Sequence, residues 1–156
     1  MKAILLAGFL SLLFYTACNN PDKQSTGKSD NDMDAVRNFL EASLKGNYNE
    51  AANYMLKDST NLGFLEVTER KYKLSDADEK RKLREASLRF FDTQKINDST
   101  TVTIFSNSYK NNKDTLKIIK MGDQWLVDLK YLFQHDMDST IQKTIDHNHL
   151  TDSIHK

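Results

Sequence analysis

The chain has 156 residues, with 22 Lys and Arg set against 22 Asp and Glu. That length suits one domain, and a formal charge of zero argues against a general electrostatic role on nucleic acid. One cysteine excludes an intramolecular disulfide, so a packed core must hold the fold, and eight Phe, six Tyr and one Trp can build it.

Lys2 gives a positive start, and residues 3–15 are then apolar or small throughout. Such a run fits the h-region of a signal peptide and is short for a membrane span. Thr16-Ala17-Cys18 closes it. The arrangement resembles a bacterial lipobox, in which a signal peptidase cuts before a lipid-bearing cysteine, although Tyr15 stands where Leu is usual. The resemblance implies a signal peptide over 1–17 and lipid attachment (palmitate among the acyl chains) at Cys18. An ordinary cleaved signal or an uncleaved anchor is the alternative. Residues 19–31, NNPDKQSTGKSDN, hold no apolar side chain. With Cys18 they read as anchor and flexible tether (18–31), spanning about 20 Å on average. Asn19, in place of the Asp associated with inner-membrane retention, points to the outer membrane.

A domain is expected over 32–131. Asp32 is read as the N-cap of a first helix whose Val36, Phe39, Leu40 and Leu44 share a face, with Gly46 as its C-terminal stop. Asn47 and Glu50 have capping-box spacing for a short second helix burying Ala51, Ala52, Met55 and Leu56. Residues 58–73 are less regular. Leu62, Phe64, Leu65 and Val67 read as a loop tucked onto the core or a short strand. Ser75 and Asp78 mark the start of a third helix running to about Phe91, with Leu83, Ala86, Phe90 and Ser87 inward. Its Lys80, Arg81, Lys82, Arg84 and Arg89 alternate with Asp76, Asp78, Glu79 and Glu85, as on a solvated face.

After residue 93 the period becomes two. Three antiparallel strands are expected, over 100–109, 114–121 and 124–131, with Gly122-Asp123 as the last tight turn. Helices first and sheet last is the pattern of an α+β domain. Trp125, Val127 and Leu129 are given to the core face, together with Val102, Ile104, Leu116 and Ile118. Phe105, Ile119, Met121 and Leu126 are then left as an apolar patch outside. A C-terminal helix, roughly 137–147 within a segment 132–156 that ends in a polar tail, carries Met137, Ile141 and Ile145 at helical spacing. It is one candidate cover for that patch; a second copy of the chain in a homodimer is the other.

The phrases AVRNFLEASLKGNYNEAA and IIKMGDQWLVD resemble a family of small bacterial lipoproteins of unknown function in the nuclear-transport-factor-2-like superfamily, of cystatin-like architecture. About two-thirds of the chain is covered. The resemblance implies helices packed on a curved antiparallel sheet in a cone with a pocket. Superfamily members include dehydratases and isomerases, ligand-binding domains and adaptors, but no catalytic residue carries over. Asp128 has the wrong parity for the pocket, and all four histidines lie beyond the matched region.

Candidate chemistry is correspondingly sparse. His147, His149 and His155 with Asp146 lack any recognised zinc spacing and read as a polar tail, so neither cofactor nor metal is expected. Tyr48, Tyr54, Tyr109 and Trp125 are candidate pocket or core residues. Ser59, Ser99, Thr115, Ser139 and Ser153 each follow an Asp and precede an apolar residue or Thr. They resemble the acceptor motif of a periplasmic O-glycosylation system, while Asp-Ser and Asp-Thr pairs also make ordinary turns and caps. The expectation is therefore an exported, membrane-tethered lipoprotein, a non-enzymatic binding or adaptor domain for a small, partly apolar ligand or an envelope protein. A small-pocket dehydratase or isomerase and a structural envelope protein are the alternatives.

Overall fold

A computed structural model describes residues 27–132, so the expected anchor at Cys18, Ser139, Ser153, the four histidines and the expected helix over 137–147 lie outside the described residues. The fold is mixed α+β, with four helices followed by a four-stranded antiparallel sheet of order β1-β2-β3-β4. The helices are α1 (Asp32–Lys45), α2 (Tyr48–Ala51), α3 (Ser59–Leu74) and α4 (Ala77–Glu85), with a 3-10 turn over Ala52–Tyr54. The strands are β1 (Leu88–Asn97), β2 (Thr100–Asn107), β3 (Asp114–Met121) and β4 (Gln124–Asp128).

Helix α1 forms as its periodicity dictates, burying Ala35, Val36, Phe39, Leu40 and Ala42 along one stripe. The cap is Asn31 rather than Asp32: the Asn31 side chain accepts from the Asp34 N–H at 2.8 Å. Asp32 sits inside the first turn instead and accepts a 2.6 Å hydrogen bond from the Thr101 hydroxyl of β2, fixing the helix start to the sheet. Gly46 ends α1 in the left-handed region, at φ 79°. A Cβ there would lie 2.5 Å from the Tyr72 ring, so only glycine lets α3 lean on this corner. The expected capping box before α2 does not close. Asn47 makes no side-chain cap bond and reaches the Glu50 carboxylate only at 3.5 Å.

The largest corrections concern 58–97. The segment read as loop or short strand is the 16-residue helix α3. Its N-cap is Asp58, whose carboxylate accepts from the backbone N–H groups of Thr60 and Asn61. In the Asp58-Ser59-Thr60 phrase, which resembles a glycosylation acceptor, the Asp thus serves as a cap. Ser75 closes α3, and Asp76 caps α4 through the Glu79 N–H at 2.8 Å. Helix α4 stops at Glu85, and residues 88–97, assigned in part to that helix, are the strand β1. Leu83, Ala86, Ser87 and Phe90 continue a helical spacing by coincidence. Pairing with β2 overrides it, with Phe90 opposite Phe105 and Thr93 opposite Thr103.

The parity of β2 is also reversed. Thr101, Thr103 and Phe105 face the helices and are buried, while Val102 and Ile104 lie half-exposed on the outer face. Their register decides this, because Thr101 and Thr103 stand opposite the fully buried Ile118 and Leu116. The threonines are tolerated inside because each hydroxyl is partnered. Thr101 donates to Asp32, and Thr103 bonds the Thr93 hydroxyl at 2.9 Å and the Asp92 carbonyl at 3.0 Å. On β3 and β4 the expected parity holds, with Leu116, Ile118, Trp125 and Val127 buried and Ile119, Leu126 and Met121 outside. The last strand is shorter than expected: it ends at Asp128, and 129–132 are helical. Residues 27–31, expected to be open tether, pack on the domain. The Ser29 carbonyl accepts from the Trp125 N–H at 3.4 Å, and the Gln124 amide donates to the Gly27 carbonyl at 3.0 Å.

Candidate functional site

The inner face of the sheet is unevenly covered. Helix α1 lies closely over β3 and β4 and approaches β1 less. Val36, Phe39 and Leu40 meet Tyr54, Met55, Leu116, Ile118 and Val127 in one continuous core. On the β1 side the same helix turns a different stripe, Arg37, Glu41, Leu44 and Lys45, toward the end of α4 and the start of β1. Between them opens a cleft of about 370 Å³, completed by Arg84, Ala86, Ser87, Leu88 and Phe90. That volume lies at the lower end of the range of small-molecule sites, roughly 300–1,000 Å³.

The floor of the cleft is apolar. Leu88 and Phe90 alternate onto the inner face of β1 and remain half-buried, as does Leu44. The rim is cationic, with Arg37, Lys45 and Arg84 against the single carboxylate of Glu41. Lys45 pairs with Glu41 at 3.6 Å and Arg37 with Asp34 at 3.5 Å, both half-exposed contacts of the weak kind. Arg84 donates to the neutral Tyr72 hydroxyl at 3.4 Å. The lining thus sets three cations and one carboxylate around an apolar floor, an arrangement that can hold a molecule.

The most heavily bonded polar cluster lies elsewhere, at the β4 edge. Asn61 of α3 is fully buried. Its amide donates to Asp58 at 2.7 Å and to Asp128 at 3.3 Å, and its carbonyl accepts from the Leu129 N–H at 2.7 Å. Asp128 also accepts from the Lys130 N–H at 3.2 Å and pairs with Lys117 at 3.2 Å, while Lys130 reaches Asp58 at 3.1 Å. The parity argument correctly keeps Asp128 out of the apolar core. It misses that the side chain is buried all the same, 3 % exposed, because α3 brings Asn61 over the strand end. The Asp58 carboxyl is held at about 2, first by the Asn61 backbone N–H and then by the Asn61 side chain, with Lys130 assisting. Every oxygen of the two carboxylates has a partner, so this knot is a clamp between α3 and the end of the sheet.

None of the aromatic candidates lines the cleft. Tyr54 and Trp125 are core residues, 2 % and 8 % exposed. Tyr48 is buried against α3, its hydroxyl donating to the Thr68 carbonyl at 3.4 Å and its ring meeting Tyr72 edge-on at 5.9 Å. Burial, then the neighbouring Tyr72 and Glu69, push its phenol up to about 12. Tyr109 sits exposed in the β2–β3 turn beneath the Lys82 ammonium. Of the acceptor-like residues, Ser59 is exposed in the first turn of α3 and Ser99 in the β1–β2 turn, while Thr115 is half-buried near the start of β3. Among the described residues no three His, Cys, Asp or Glu side chains gather as a metal site, and no helix is long and apolar enough to cross a membrane.

The cleft residues had only a weak sequence signal. Arg37, Glu41 and Lys45 recur four apart on a helix, which is also what a solvated face looks like. Leu88 and Phe90 could not be placed without recognising β1. No family model, curated protein or solved structure matches the chain.

Proposed function

We propose that the chain is an exported lipoprotein, tethered through Cys18 to the bacterial outer membrane, whose domain binds a small, partly apolar ligand without transforming it. The observation that carries the binding reading is the cleft between α1, α4 and β1, with an apolar floor and a cationic rim. Helices gathered on one face of an antiparallel sheet also suit the nuclear-transport-factor-2-like cone that the sequence resembles. The positions of tether and cleft fit together. The chain joins the domain at the β4 edge, through Gly27 and Ser29, whereas the cleft opens at β1, three strand spacings or about 14 Å across the sheet. A ligand can reach the cleft without passing the anchor.

Two measurements test this reading. Cys18→Ser should abolish palmitate labelling and release the protein from membranes; labelling that persists removes the anchor. Screening the full chain for small molecules that shift the backbone amides of residues 86–90 tests the cleft, and a screen of amphipathic compounds that moves none of them removes it. An adaptor role is the second reading, favoured by Val102, Ile104, Ile119 and Leu126 standing half-exposed on the outer sheet face, with Met121 more than half exposed beside them.

A further inference from the structure

The cleft's charge pattern narrows the class of ligand, granted the reading that it binds one. Helix α4 carries four cations, and two of them are neutralised on the helix itself. Arg81 bonds Asp78 at 2.6 Å and Glu85 at 2.8 Å, and Lys82 bonds Asp78 at 2.6 Å. Of the other two, Lys80 donates to the Lys73 carbonyl and Arg84 lines the cleft. It makes no ion pair among the described residues, and its guanidinium is directed at a neutral phenol. Across the cleft Arg37 has one long contact to Asp34, which lies outside the cleft and already accepts from the Asn31 amide at 2.7 Å. Glu41 and Lys45 cancel each other on the same wall. Three cations less one carboxylate leave the lining with two positive charges, although the chain as a whole has none. Beneath them lie Leu44, Leu88 and Phe90, an apolar surface that the domain leaves half-covered.

We infer that the cleft takes an amphipathic organic anion, its carboxylate or phosphate held by Arg84 and Arg37 and its apolar body laid over Leu44, Leu88 and Phe90. A guanidinium presents two parallel N–H donors that match a carboxylate or phosphate edge, whereas a neutral or cationic head would leave Arg84 without a counter-charge and Arg37 with only its long contact to Asp34. Burial of the apolar body supplies the bulk of the affinity and the arginines the discrimination. The volume suits a medium-chain or monocyclic body rather than a whole phospholipid. The position of the cleft, on the sheet edge away from the tether, favours a soluble ligand over one drawn from the anchoring membrane.

The test titrates the full chain with octanoate, 1-octanol and octyltrimethylammonium, following the amides of residues 86–90, with phosphatidylglycerol vesicles as a competitor. Octanoate is expected to saturate a single site and octyltrimethylammonium to leave it unmoved. Arg84→Gln and Arg37→Gln should each weaken octanoate about tenfold, as loss of a charge-assisted hydrogen bond does. Glu41→Gln should strengthen it. If 1-octanol binds as tightly as octanoate and the arginine variants change neither, the anion inference falls while the cleft remains a ligand site. If none of the three moves these amides, both fall. Vesicles that displace octanoate would keep the anionic head but overturn the soluble source.

Discussion

The two edges of the sheet are built for different ends. At the β4 edge the chain spends its hydrogen bonds: Ser29, Leu56, Asn61 and the Asp58–Asp128 clamp all tie neighbouring segments to one strand. Helix α1 lies directly above, and Met55, Ile118 and Val127 are sealed from water. At the β1 edge no further strand pairs with the sheet among the described residues, α1 stands off, and Leu88 and Phe90 stay partly wet. Strand β1 is interrupted at Phe91 and Ile96 by register shifts, a device that discourages another strand from adding there. One end therefore carries the stability and the other keeps an opening. A small domain can afford a cleft only where its core does not depend on it.

The sharpest way to break that contrast is at Trp125, 8 % exposed on β4. Trp125→Ala should cost about 3–5 kcal/mol in denaturant unfolding, as large-to-small core changes do. A near-native midpoint would mean that the β4 side is not the stable one. Asn61→Ala comes next. It leaves the Leu129 N–H without its partner and removes one of the three partners of the buried Asp128, and should cost roughly 2–4 kcal/mol by the same measurement. Gly46→Ala places a Cβ against the Tyr72 ring in the left-handed region and should cost about 1–3 kcal/mol. Adding Tyr72→Ala should recover the steric part of that loss but not the backbone part.

Leu88→Ala, on the open side, should cost only about 1 kcal/mol, because its side chain is already half in water. A loss matching that of Trp125→Ala would erase the distinction between the edges. The smallest effect is a pH dependence. The Asp58 carboxyl lies at about 2 in the fold against an ordinary 3.8, so its contribution is complete above 3.8 and is lost as pH falls toward 2. Asp58→Asn keeps a capping side chain and should flatten the thermal midpoint between pH 4 and pH 2. An unchanged slope there would remove Asp58 from the clamp's electrostatics.

Recognition by sequence and recognition by contact divide along physical lines in this chain. Local rules sufficed where a segment's own residues settle its state. The stripe of Val36, Phe39 and Leu40, the stop at Gly46, the Gly122-Asp123 turn and the inward Trp125 and Val127 were all legible, because periodicity and left-handed glycine geometry need no distant partner. The Asp58 cap of α3 is equally local: its Asp-Ser-Thr phrase reads as a cap as readily as an acceptor motif, but the irregular spacing of Leu62, Phe64, Leu65 and Val67 hides the helix that follows. Other features were decided by tertiary structure alone. Residues 88–97 are a strand because β2 is available to pair with them. Thr101 and Thr103 lie inside, and Val102 and Ile104 outside, because register against β3 outweighs the preference for burying aliphatics once each hydroxyl has a partner. Asp128 is buried because α3 carries Asn61 to it across 67 residues of chain. The cleft belongs to the same class. Arg37, Arg84 and Leu88 are ordinary residues in sequence, and they become a site only through the angle at which one helix leaves one edge of a sheet.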